Sequence, residues 1–448
     1  MADHSRKELI RRRRIFIATY FLVFVAVAAG IYFGVKAIAG LFFKTTPESG
    51  ASGTESSSVS GDNGTKSKEP KLISSITVVN TGDIMVHSTQ LDGAKTSSGY
   101  DFSDFFKYIK SPVSKADLAI ANLEVTFGGT ESGSYKGYPA FNTPDSLADV
   151  IKDAGFDLML TTNNHCYDTG LFGLKRTVSV LKDKGLSYVG TKQDAAEKDY
   201  LVKKVSGVKL GITAYTYENK CDPGRKSING NVISTEANGL INSFNYDRIN
   251  EFYTAAEKNI KEMKKDGADL IIFYMHWGEE YQLKENVHQD AIAQKLCDLG
   301  VDIIIGSHPH VIQPMALLTA SGGDHKTICA YSMGNAISNQ RQEIMHPECT
   351  TGHTEDGMLI YFTVDKYSDG ETVITSFDAV PTWVNKYKGG SGYLYSIIPL
   401  DTRDGGAECG LSGTPLEKSQ RSYGRTKATV GEGLTEIQRF LGCKIRFQ

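Results

Sequence analysis

Six short segments of this chain place residues that bind metals or move protons at, or just after, the end of an apolar run. They are Gly82-Asp83-Ile84-Met85-Val86-His87, Asn122-Leu123-Glu124, Asn163-Asn164-His165, His276-Trp277-Gly278, Gly306-Ser307-His308-Pro309-His310 and Gly334-Asn335. Imidazole and carboxylate together suit Zn, Mn or Fe, and an Asn side-chain oxygen is a tolerable further ligand. Asp83, His87, Glu124, Asn164, His165, His276, His308 and His310 are donors enough for two ions with a bridging carboxylate. Such a centre clamps the attacking and leaving oxygens of a phosphoryl displacement and activates water at neutral pH.

Taken singly, each segment has an ordinary explanation. Gly-Asp after a strand is common turn chemistry, Asn163 and Asn164 can satisfy loop backbone, and His276 can be a hydrogen-bonded core histidine. His308 and His310, two apart, face one side if their segment is extended. The weight lies in the set, because five of the ten histidines fall in these segments. The other five (4, 288, 325, 346 and 353) have no such placement and read as surface residues.

The elements that must carry these tips can be read from the apolar pattern. Ile76–Val79, Leu118–Ala121, Leu158–Leu160, Leu270–Met275 and Ile303–Ile305 read as buried parallel strands. Between them run amphipathic stretches at Leu147–Ala154, Leu174–Lys184, Ile249–Lys265 and Asp290–Leu299. Alternating strands and helices predict an α/β fold with a largely parallel sheet, in which ligands gather at the carboxyl ends of the strands. Three strand entries share a pattern, Gly155-Phe156-Asp157, Gly267-Ala268-Asp269 and Gly300-Val301-Asp302, where a Gly ends a helix and an Asp opens the next run. After Lys326 the runs Ile328–Met333, Met358–Val364 and Thr372–Val380 lack long helices and predict a second, more antiparallel sheet.

Ahead of this body, residues 1–14 end in four arginines and predict a cytoplasmic basic terminus. Residues 15–43 hold an apolar stretch long enough to cross a membrane as an anchor, and the positive-inside bias places the chain beyond it on the outer side. The expected localisation is a single-pass cell-membrane protein with its C-terminal domain extracellular. Residues 44–71 are rich in Ser and Gly and read as a tether, residues 72–400 as the folded domain, and residues 401–448 as an extension of unassigned role with one short helix at Leu434–Leu441. A net charge of -3 argues against general nucleic-acid affinity. Seven cysteines without C-x-x-C spacing argue against a cysteine-ligated zinc and a compact disulfide framework, and Cys297 and Cys329 read as buried free thiols.

The ordered set Gly82-Asp83-Ile84-Met85, Ala121-Asn122-Leu123-Glu124, Thr162-Asn163-Asn164-His165-Cys166-Tyr167-Asp168-Thr169-Gly170, His276-Trp277-Gly278-Glu279-Glu280-Tyr281, Gly306-Ser307-His308-Pro309-His310-Val311 and Tyr331-Ser332-Met333-Gly334-Asn335 resembles the bacterial capsule synthesis family of CapA type. The likeness covers about residues 74–385 and the anchor. It implies a role in poly-γ-glutamate biosynthesis and export, with an anionic polymer and other membrane proteins of that machinery as partners. That family in turn resembles the calcineurin-like metallophosphoesterases, which implies a four-layer αββα sandwich and one or two divalent ions. By that resemblance Asp83, Glu124, Asn164, His276, His308 and His310 are metal ligands. His165 matches the catalytic histidine, with Asp168 orienting it. His87, Asn122, Asn163 and Asn335 are possible additional site residues, and Asn335 either contacts ligand or shapes the last turn. The sequence departs from the phosphoesterase pattern in lacking Asp-x-His, because His87 lies four residues after Asp83, and in having Glu124 at the bridging position. Two functions therefore stay open: a metal-dependent hydrolase, cleaving a phosphoester or an amide, and a non-catalytic polymer-binding subunit.

Overall fold

The computed structural model describes residues 69–447, apart from positions 223, 346 and 391. The basic terminus, the expected anchor and nearly all of the tether lie outside the described residues. Among those described, no helix is long and apolar enough to cross a membrane.

The principal elements begin with β1 (Leu72–Ile84), β2 (Leu118–Leu123), α1 (Ser146–Asp153), β3 (Leu158–Leu160), α2 (Gly170–Asp183) and β4 (Ser187–Val189). Next come β5 (Val208–Tyr217), α3 (Ile249–Lys265), β6 (Leu270–His276), α4 (Val287–Asp298), β7 (Ile303–Ser307) and β8 (Lys326–Ala330). The chain closes with β9 (Asn335–Ile337), β10 (Asp356–Tyr367), β11 (Thr372–Lys388), β12 (Tyr393–Pro399) and α5 (Gly413–Leu441). All five expected strands and all four expected helices are present.

Two sheets result. The first has the order β12-β11-β10-β1-β2-β3-β4, with β9 added beside the end of β1. Strands β1 to β4 run parallel, whereas β10, β11 and β12 are antiparallel to their neighbours. The second sheet is parallel through β5, β6, β7 and β8 and carries antiparallel edge strands at Leu201–Val205 and Met315–Thr319. The antiparallel strands expected to form a sheet of their own instead extend the first sheet, and β8 belongs to the second. Hydropathy marks a buried strand but carries no record of which edge it pairs with, and the free edge of β1 took β10.

Alternation along each strand assigns its two faces. Val78, Ile120 and Leu158 of the first sheet meet Ile212, Ile272 and Ile303 of the second in one buried cluster. Their neighbours Val79, Ala119 and Met159 pack instead with Leu147 and Ile151 of α1 and Leu181 of α2. On the other sheet, Ile271 and Phe273 pack with Phe252 and Ile260 of α3 and Ile292 and Leu296 of α4.

The recurring Gly-x-Asp entry has a physical reason. The glycines adopt left-handed φ values of 98°, 85° and 83° that end the preceding helix. Each aspartate then accepts the N–H of a residue on the neighbouring strand: Asp157 from Ala119 at 3.1 Å, Asp269 from Lys209 at 2.8 Å and Asp302 from Ile271 at 2.7 Å. Strand register is thus pinned at the entry ends, opposite the ends that carry the polar tips.

The short helix expected at Leu434–Leu441 is the last part of α5, which has 29 residues. Its buried face reads Ser419, Ser422, Thr426, Val430, Leu434 and Ile437. Hydroxyl residues on the first half of that face hid its helical period. Val430, Leu434 and Ile437 join the cluster between the sheets, so residues 413–441 complete the core. Gly433 permits this approach, since a Cβ there would lie 1.8 Å from the Met315 carbonyl oxygen.

Candidate metal centre

Strand ends from both sheets meet here. Asp83 is the penultimate residue of β1, Glu124 follows β2, and Asn164 and His165 follow β3. His276 closes β6, and His308 and His310 follow β7. Registers fix their depth: Asp83 is level with Asn122 and Asn335, and His276 with Ser307. The β1 turn needs a glycine beside Asp83, because a Cβ on Gly82 would sit 1.9 Å from the Gly334 carbonyl oxygen. The close pairing lets Asp83 N–H donate to that same oxygen at 3.1 Å.

Two buried groups could each hold an ion: Glu124 with His308 and His310, and Asp83 with Glu124 and His276. Within each group the donor atoms lie within 4.8 Å of one another, and Glu124 is common to both. Glu124 Oε1 has no hydrogen-bond partner although it is buried. It lies 3.5 Å from His276 Nε2 and 3.8 Å from His310 Nε2. His308 Nδ1 is likewise buried without a partner. Unpartnered buried polar atoms are costly in a folded chain, and a cation among these donors would satisfy both. The donor set therefore fits a divalent ion.

The electrostatics agree with that fit. Burial, then the neighbouring Asp83 carboxylate, pushes Glu124 well above the ordinary carboxylate range. Burial and the adjacent imidazoles hold His276 and His308 well below the ordinary histidine value, which keeps them neutral and able to donate a lone pair. A positive ion would relieve the repulsion between the two carboxylates.

Asn164 Oδ1 lies 2.9 Å from His276 Nε2, within the same group of donors. The other nitrogen of His276 faces Ser307 Oγ at 2.9 Å. A hydroxyl can donate or accept, so Ser307 supports either tautomer. His310 Nδ1 lies 3.1 Å from Asp83 Oδ2. His308 and His310 do not share a face through an extended backbone, as their spacing suggested. Both have left-handed φ values, 97° and 56°, and this bend brings their rings into the cluster. Non-glycine residues rarely hold that conformation without compensation. Tyr281 N–H, donating to the Pro309 carbonyl at 2.8 Å, helps secure it.

His165 and Asp168 form a separate pair. Asp168 Oδ2 lies 2.8 Å from His165 Nδ1 and also accepts from Phe141 N–H at 2.6 Å. Phe141 presents an edge contact to the imidazole, with ring centroids 4.7 Å apart. The ring is thereby fixed with Nε2 left for other work.

The three further asparagines hold the frame. Asn122 Nδ2 donates to Asp83 Oδ1 at 2.7 Å and to Glu124 Oε2 at 3.2 Å. Asn163 Nδ2 donates to Asn122 Oδ1 and to the Leu123 carbonyl, and its own Oδ1 accepts from His165 N–H. Asn335 Nδ2 donates to the His310 carbonyl, Gln340 Oε1 and the Thr354 carbonyl, so it shapes the last turn. His87 stands outside both donor groups. It precedes the helix Ser88–Ala94, where its N–H donates to Gln90 Oε1 and its Nδ1 accepts from Asn339 N–H. The longer spacing from Asp83 carried it to a helix start.

Ser307, Tyr217 and Phe141 escaped sequence reasoning. The Tyr217 ring lies tilted against His308, with 4.8 Å between ring centroids. Its only signal was a position at the carboxyl end of β5, the strand beside β6.

Comparison with known proteins gives a consistent picture. Residues 77–340 match the family described as bacterial capsule synthesis protein PGA_cap, a span that contains every donor named above. The chain is 28% identical over 269 residues to the capsule biosynthesis protein CapA of Bacillus anthracis, covering 59% of this chain and 60% of that protein. It is 27% identical over 313 residues to the PGA biosynthesis protein CapA of Bacillus subtilis (strain 168), covering 68% of this chain and 73% of that protein. An uncharacterized protein, y4sH of Sinorhizobium fredii, is 27% identical over 139 residues, 30% of this chain and 28% of its own length.

Proposed function

Since this chain belongs to the bacterial capsule synthesis protein family PGA_cap, we propose that it serves the making or export of an anionic capsule polymer, poly-γ-glutamate. In this reading residues 15–43 anchor it in the cell membrane, and the domain faces outward beside other membrane proteins of the same machinery. The cleft is a metal-dependent hydrolase centre of calcineurin-like metallophosphoesterase type. The single observation that carries this is the shared, partnerless Glu124 oxygen set among three buried histidines and Asp83.

Asp83, Glu124, Asn164, His276, His308 and His310 would hold one or two ions of Mn, Zn or Fe. The ion would supply Lewis acidity, polarising a phosphoryl or acyl oxygen and making water more acidic. Asn122 keeps both carboxylates aimed inward through its split amide. Asp168 orients the His165 ring through Nδ1, so that Nε2 is presented to hand a proton to a leaving oxygen or nitrogen. The bond broken is a phosphoester or a γ-glutamyl amide.

A second reading rests on His87, whose absence from both donor groups leaves the Asp83 side with one imidazole. There the pocket binds polymer without cleaving it. Metal analysis of the purified full chain, beside turnover of phosphoesters and γ-glutamyl amides, separates the two. A stoichiometric ion and turnover lost in His165→Ala support the hydrolase. A stoichiometric ion with no turnover on either substrate class supports the binding subunit, and no ion at all defeats the hydrolase and leaves the six segments as structural loops. Loss of surface polymer on deleting the gene in its source bacterium tests the pathway.

A further inference from the structure

The segment after β9 joins the candidate metal centre to a second cavity. Gln340 is hydrogen-bonded to Asn335 beside the donor cluster, and the next residue, Arg341, lines a cavity of about 310 Å³. The walls also contain Lys386 and Trp383 of β11, and Thr414 and Lys418 of α5. Arg341 is almost wholly buried. Its guanidinium lies 2.8 Å from Glu355 and 5.6 Å from the Trp383 ring centroid, yet its Nε has no partner. Among the described residues, neither Lys386 nor Lys418 forms an ion pair, and Lys386 Nζ donates to Asn339 Oδ1 at 3.2 Å and lies 4.6 Å from the Tyr393 ring centroid. Burial and the nearby Arg341 charge hold the Lys386 ammonium below the ordinary lysine range.

The same cavity receives the start of α5. Ser412 at its N-cap makes no side-chain capping bond, and the first turn has no acidic residue. The first turn of this 29-residue helix therefore carries no carboxylate of its own. Facing the three cations are Glu355, already engaged by Arg341 and Trp383, and the exposed Glu343 at the rim, while Glu417 follows one residue past the first turn of α5. Arg341 and the other wall residues lie beyond the span 77–340 that matches the family.

We infer that this cavity is an anion subsite that takes a carboxylate of the polymer, so that a chain held there runs on toward the donor cluster one short segment away. The inference rests on the polymer reading proposed above. An acidic polymer needs a grip away from the bond that reacts, and Lys386, Lys418 and the free first turn of α5 offer it.

Fluorescence anisotropy of a labelled poly-γ-glutamate oligomer with the full chain tests this, using a Lys386→Gln/Lys418→Gln double variant. The double variant is expected to weaken binding about tenfold or more and to flatten its salt dependence, while ion content and thermal midpoint match wild type. A dissociation constant within about twofold of wild type would overturn the subsite, since each lost charged hydrogen bond should cost more than that. Displacement of the oligomer by orthophosphate at far lower concentration than by acetate would overturn the carboxylate assignment. Failure of wild type to bind the oligomer would overturn the polymer as ligand. Absent turnover with oligomer binding intact would remove only the hydrolase reading.

Discussion

Glu124 is the residue on which the centre's electrostatics turn. Without a cation, burial and the Asp83 carboxylate disfavour the charged form of Glu124, beside imidazoles held neutral. Glu124→Gln should abolish stoichiometric ion binding, as read by elemental analysis, yet make the ion-free protein no less stable, because burial and Asp83 already disfavour the charged form that the amide lacks. His165→Ala should leave ion content unchanged and lower turnover by about a hundredfold or more, the usual size of a lost proton donor. Asp168→Asn should keep the ion as well, and lower turnover by loosening the hold on the His165 ring. His87 supplies a pH test. Burial lowers it from 6.5 to about 4, so the folded protein keeps it neutral where the unfolded chain protonates it. Its contribution is present above pH 6.5 and is lost as pH falls toward 4. The loss is on the order of 2 kcal/mol, discounted for its partly exposed ring, and His87→Gln should remove that part of the acid destabilisation in denaturant titrations.

Among the elements, α5 gives the sharpest contrast between what residues announce and what they do. Strand ends and the parallel helices were legible because apolar runs of β-branched residues and 3.6-residue periods are strong local signals. Helix α5 was legible only over Leu434–Leu441, because Ser419, Ser422 and Thr426 occupy buried positions that usually hold aliphatics. The bend at His308 and His310 was illegible, since left-handed φ values at histidine leave no mark in composition. Two glycines of α5 make a matched test. Gly433→Ala places a methyl against the Met315 carbonyl and should cost about 2–3 kcal/mol or more by overpacking. Gly424→Ala meets no atom within 4 Å and should stabilise by up to about 1 kcal/mol through helix propensity. Urea midpoints of the two variants should move in opposite directions.

At the scale of the molecule, the domain is completed only near its C-terminus. Truncation after position 412 removes Val430, Leu434 and Ile437 from the cluster between the sheets and should leave an insoluble or protease-sensitive product. The anchor is a separate question, testable by carbonate extraction of membranes and by protease added to intact cells. Retention in the extracted membranes, with residues 69–448 cleaved from outside, is expected. The convergence of distant loops was readable because strand direction in an α/β sheet sends carboxyl ends to one edge. Partner strands across the two sheets were not, because pairing depends on edges left free by the rest of the fold.

The donors come from both sheets: Asp83 and Glu124 from one, His276, His308 and His310 from the other. An ion seated among them would be a rivet through two plates. Chelation should then loosen the seam before it melts either plate, so that amide exchange quickens first along β6, β7 and the exit of β1 while far-ultraviolet dichroism holds steady.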